Sequence, residues 1–101
     1  MSKQIQDLIS KLDTSSDKIA EDIISKLAKI GKASVLTLMS AAQNPSKPRV
    51  RKWSLQALGA IGDKRAGPLL VKALTDDRMT IKLHAIRGLA RMKYKQAAKK
   101  I

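Results

Sequence analysis

Val50-Arg51-Lys52-Trp53-Ser54-Leu55-Gln56-Ala57-Leu58-Gly59-Ala60-Ile61-Gly62-Asp63 decides the architecture of this 101-residue chain. Val50, Ser54, Leu55, Ala57, Leu58 and Ile61 line one face of a helix at a period near 3.6. Ser46 is placed to cap it, Pro48 is tolerated in its first turn, and Gly62 stops it. A step of 31 residues in either direction lands on the same pattern. Ile19, Val50 and Ile81 fall on one line, as do Leu27, Leu58 and Leu89, and Ile30, Ile61 and Met92. Leu38 matches Leu69, and Met39 matches Leu70. An ungapped period of this size means stacked supersecondary units, not a globule around one central core.

Outward from that stretch, helical stripes continue both ways. Ile5, Leu8, Ile9 and Leu12 make a first amphipathic helix, ended by the capping run Asp13-Thr14-Ser15-Ser16. Ile19, Ile23, Ile24, Leu27 and Ile30 make a second, stopped at Gly31. Val35, Leu36, Leu38, Met39 and Ala42 make a third, which ends at Asn44-Pro45. After Asp63, Pro68 sets the fifth helix to begin near Lys64 to Ala66. Asp76 or Asp77 caps a sixth, with Ile81, Ala85, Ile86, Leu89 and Met92 inward and a short basic tail from Lys93. Ser54 and Ala85 share one small-residue position, and Ala57 and Gly88 another, so neighbouring helices can approach closely there.

Val50-Arg51, Ser54 to Asp63, Ala66-Gly67-Pro68-Leu69-Leu70 and Ala73-Leu74-Thr75-Asp76 together resemble HEAT-like repeats of the phycobilisome-lyase type. Asp22 and Lys26 depart from that pattern in the preceding unit. The resemblance implies an all-α fold, a short right-handed α-α superhelix (solenoid) of HEAT-like helical hairpins with about six helices. The expected divisions are a capping helix over 1–13, units over 17–43 and 47–75, and a partial unit with a basic tail over 78–101. Leu69 and Leu70 correspond to Lys100 and Ile101, so the last covering helix is cut short. Self-association or a partner is expected to cover Ile86, Leu89 and Met92 there, because a solenoid needs capped ends.

Charge is segregated. Residues 1–46 carry six basic and five acidic side chains; residues 47–101 carry fifteen basic and only Asp63, Asp76 and Asp77. The whole chain stands at +13. Such asymmetry points to a polyanionic partner for the later half. Lys47, Arg49, Arg51, Lys52, Arg78, Lys82, Arg87 and Arg91 are the candidate anion-binding residues. Arg51 and Lys82 are repeat-equivalent, as are Lys47 and Arg78, and such pairs form ladders on a solenoid. Cations at helix starts also sit beside free backbone N–H groups that attract phosphates.

Catalysis is poorly supplied. His84 is the single histidine, no carboxylate lies within a helical turn of it, and there is no cysteine. The resemblance to HEAT-fold hydroxylases lacks their repeated His-Glu pairs, and no catalytic, metal or cofactor site emerges. Gly59-Ala60-Ile61-Gly62 reads as a helix end, not a phosphate loop. No apolar run approaches the roughly 18 residues of a membrane span, and a cysteine-free chain suits the cytoplasm. Trp53 could stack on a base or anchor a partner. Filling the seam between hairpins is the preferred reading, since tryptophan is mostly buried. His84, its repeat-equivalent, is expected on the surface. The leading expectation is a non-catalytic module binding nucleic acid or a nucleoprotein through phosphates. The alternative is a protein–protein scaffold for an acidic partner, and attachment to an anionic membrane surface is the third.

Overall fold

The computed structural model describes residues 2–99, with six α-helices and no strand among them. They are α1 (Ser2–Ser10), α2 (Asp17–Ile30), α3 (Val35–Ala41), α4 (Pro48–Ile61), α5 (Gly67–Ala73) and α6 (Met79–Lys99). Short 3₁₀ segments, Gly31–Ser34 and Lys64–Ala66, lead into α3 and α5. α4 is the hub: it packs on α2 and α3 on one side and most extensively on α6 on the other.

Local chemistry explains the ends. The Ser16 hydroxyl accepts from the Ile19 N–H at 3.2 Å and caps α2. Gly62 closes α4 in the left-handed region, at φ 76°, where a side chain would be strained. Asp63 accepts from the Arg65 N–H and opens the 3₁₀ turn before α5. The Arg65 guanidinium and N–H together hold the Asp63 carboxyl at a pKa of about 2. Ser46 does not cap α4. Lys47 holds the N-cap position, and the Ser46 hydroxyl donates to the Asn44 side chain at 2.8 Å instead.

The core is aliphatic, with Leu27, Leu38, Leu55, Leu58 and Leu70 fully buried and Trp53 the one large ring. Its tightest crossing is α4 on α6. A Cβ on Gly59 would overlap the Gly88 carbonyl oxygen, and one on Gly88 would lie 2.6 Å from the Leu55 carbonyl oxygen. These backbones touch because neither residue has a side chain.

Further expectations need correction. Ile86, expected inward, is 54 % exposed, whereas Met92, expected to lie open at the end of the stack, is buried within α6's packed face. His84 is buried, only 5 % exposed, and sets its ring edge-on to Trp53 at 4.9 Å between centroids. Leu36 is exposed, because it lies about 100° off the buried line of Val35, Leu38 and Ala42. Ile19 is 51 % exposed although its equivalents Val50 and Ile81 are buried, since α2 has no earlier helix of its own layer behind it. The basic tail is no separate element. α6 runs unbroken to Lys99, because Lys93 stands where Gly31 and Gly62 stop the earlier helices. The expectation of a cut-short covering helix falls on Lys100 and Ile101, outside the described residues.

Candidate functional site

The eight candidate cations separate into three environments. At the starts of α4 and α6, Arg49, Lys52 and Arg78 converge on one groove of about 250 Å³, completed by Pro48, Thr80 and Ile81. The groove follows from the repeat: two helices of one layer begin side by side, and each begins with basic residues. Lys47 is exposed at the N-cap of α4, and Lys82 is half-buried one turn into α6. Lys52 also lies over the Trp53 ring, its Nζ 5.1 Å from the centroid. Arg49 is drawn loosely to Asp13, at 3.9 Å with both side chains exposed, a contact worth little in water.

Arg51 serves the fold. Its Nε donates to the Ala42 carbonyl at 3.3 Å and its guanidinium pairs with Asp76, both side chains being mostly buried. Asp76 also accepts from the Arg78 N–H at 2.8 Å, and that bond leads in holding its carboxyl below the usual carboxylate range, with Arg51 adding to it. Arg51 thus ties the end of α3 to the turn before α6, at one wall of a cleft of about 510 Å³ that Lys72 and Arg78 also line.

Arg87 and Arg91 line a second cleft, farther along α6, together with Asp17, Glu21, Trp53 and Gln56. There Arg91 pairs with Glu21 of α2 at 2.7 Å. The indole N–H of Trp53 donates to the Thr14 carbonyl at 3.1 Å, and only 3 % of the residue is exposed. Trp53 is therefore a seam-filling residue, unavailable for stacking on a base.

The buried His84 imidazole donates from Nδ1 to the Thr80 carbonyl at 3.0 Å. Burial pushes its pKa below the ordinary value, and the nearby Lys52 and Arg87 push the same way. No cluster of three or more potential metal-ligating side chains occurs among the described residues.

Stacked helices of one layer, a glycine-to-backbone crossing between them and a 31-residue register all point to one architecture. A family model of HEAT repeats matches residues 5–90. The chain belongs to the HEAT-repeat family. The match is to HEAT repeats in general, the level at which the fold is established. No curated protein matches the chain. HEAT repeats typically serve as protein-interaction scaffolds, and no helix among the described residues is long and apolar enough to cross a membrane.

The HEAT register exposes what composition hid. Glu21 and Asp76, each remote in sequence from its partner, hold arginines that a count of charges leaves free. Nothing local to Glu21 or Arg91 announces the pair, since 70 residues separate them.

Proposed function

We propose that this HEAT-repeat chain is a non-catalytic binding module whose groove between the starts of α4 and α6 holds the phosphates of a nucleic acid. The convergence of Arg49, Lys52 and Arg78 on that groove carries the reading. Cations grouped beside the unpaired backbone N–H groups of helix starts suit a phosphate diester, and such contacts set position without reading bases. Lys47 and Lys82 extend the cationic surface on the same two helix starts. Arg51 and Arg91 drop out of the binding set, because carboxylates of the chain already hold them.

A gel shift with duplex DNA, single-stranded DNA and RNA across a salt series tests this. If roughly 4–6 phosphates are engaged, log affinity falls against log salt with a slope near −4 to −5. Replacing Lys47, Lys52, Arg78 and Lys82 by serine should abolish the shift with the helical circular dichroism intact. Replacing Arg51 instead should cost stability first. A salt-independent shift, or one that the four serines leave unchanged, rejects the reading.

The second reading is a scaffold for an acidic protein, favoured by the apolar side chains that α6 turns to solvent. Recovery of a discrete partner from lysate that survives nuclease separates the two.

A further inference from the structure

We infer that the solvent-facing stripe of α6 around Leu83, Ile86 and Ala90 docks an acidic amphipathic helix of another protein. The stripe begins at Met79, and the spacing i, i+4, i+7, i+11 keeps all four side chains on one face. Each is exposed: Met79 at 74 %, Leu83 at 41 % and Ile86 at 54 %, with Ala90 open beside them.

The register says what such a face is for. Ile86 is the equivalent of Leu55 and Ile24, 31 and 62 residues earlier. Both of those are buried, Leu55 where Gly88 of α6 meets its backbone and Ile24 on α2, which packs on α4. Ala90 is likewise the equivalent of Gly59, which lies against the backbone of Gly88 in α6, and of Ala28. At the α4–α6 crossing a large aliphatic residue and a small one four positions on receive the next helix of the layer, and Ile24 and Ala28 hold the same two positions on α2, which packs on α4. The third instance carries the same residue types with nothing over them among the described residues. Its shape is that of a helix seat, with a small residue where the incoming backbone comes close.

Charge decides the occupant. At 100° per residue, Lys82 and Lys93 border one edge of the stripe and Arg87 the other. No acidic residue lies on α6. A helix with an apolar face and Asp or Glu on its flanks meets apolar with apolar and anion with cation. A second copy fits worse in either orientation. Two α6 stripes face to face would set Lys82, Arg87 and Lys93 against their own duplicates. Head to tail, the stripe would meet the far side of α2, which offers exposed Ile19 but sets exposed Asp22 and Lys26 where the packed crossings have Trp53/His84 and Ala57/Gly88. A lysine at the close-approach position holds a neighbour off.

The test pans a display library of helical peptides, with apolar face and flank charge varied independently, on the full chain at physiological salt. Enriched peptides should pair an apolar stripe with acidic flanks. A synthetic copy of one winner, followed by fluorescence anisotropy, should bind about tenfold or more weakly to Ile86→Glu and to Leu83→Glu. Both variants should keep the parent circular dichroism, because both side chains face solvent. Lys52→Ser with Arg78→Ser should leave peptide binding in place, which separates this surface from the phosphate groove. Enrichment of peptides without a helical stripe, or indifference to both glutamate variants, overturns the inference. So does sedimentation showing that the chain alone dimerises through Ile86, or phosphatidylserine vesicles capturing it through Ile86 without competition from the peptide.

Discussion

One guanidinium nitrogen of Arg91 donates to both carboxylate oxygens of Glu21, at 2.8 and 2.7 Å, joining α6 to α2 across the cleft that Trp53 of α4 helps to line. A carboxylate of the near-neutral first half thereby neutralises part of the basic second half. The pair also spans a layer: α2, α4 and α6 carry equivalent positions of the repeat, and Arg91 reaches from the third to the first.

Glu21→Gln should release Arg91 without emptying the core. A double-mutant cycle of Glu21→Gln with Arg91→Met, read by urea unfolding, should give a coupling of about 0.5–1 kcal/mol, since both side chains are part-exposed. The coupling should shrink in high salt. Zero coupling in low salt would mean that the pair holds nothing together.

Gly59→Ala and Gly88→Ala should each destabilise the chain by roughly 1–3 kcal/mol or more, because the added methyl meets backbone, which cannot swing away. Gly67→Ala is the control, with open space around its Cβ. Thermal melts of the three variants check this; equal melting temperatures for Gly59→Ala and Gly67→Ala would contradict the close crossing.

Trp53→Ala should cost about 3–5 kcal/mol, the range for removing a buried aromatic side chain. Trp53→Phe should keep most of the packing and lose the tie to the Thr14 carbonyl, at about 1 kcal/mol. Nucleic acid should leave the tryptophan fluorescence nearly unchanged, and strong quenching on binding would reopen the stacking role.

His84 should make stability depend on pH. Unfolded, it takes up a proton near pH 6.5; folded, burial holds its affinity for protons lower. The unfolded chain then binds more protons just below that pH, so its contribution is complete above about pH 6.5 and is lost as pH falls through 6.5 toward the folded value. Melts from pH 7.5 to 5 should show this decline, and His84→Phe should flatten it. An identical slope in the variant would assign the decline to other groups.

Repetition was legible because stacking makes each unit solve the same packing problem. Leu27 and Leu58 recur for that reason, and both are buried. Helix stops were legible where the backbone needs a positive φ, as at Gly31 and Gly62. Burial at the ends was not. Ile19 and Ile86 occupy core positions of the repeat, yet whether a core position is covered depends on a neighbouring helix, which periodicity cannot count.

Residue order alone was enough to establish helices, their register and the sign of the charge on each half, because these depend on neighbours within a turn or on simple counting. Folding decided which charges remain available. Arg51 and Arg91 are committed to Asp76 and Glu21, while Arg49, Lys52 and Arg78 meet at one groove. Electrostatic energy depends on distances through space, and those distances exist only once the helices have packed.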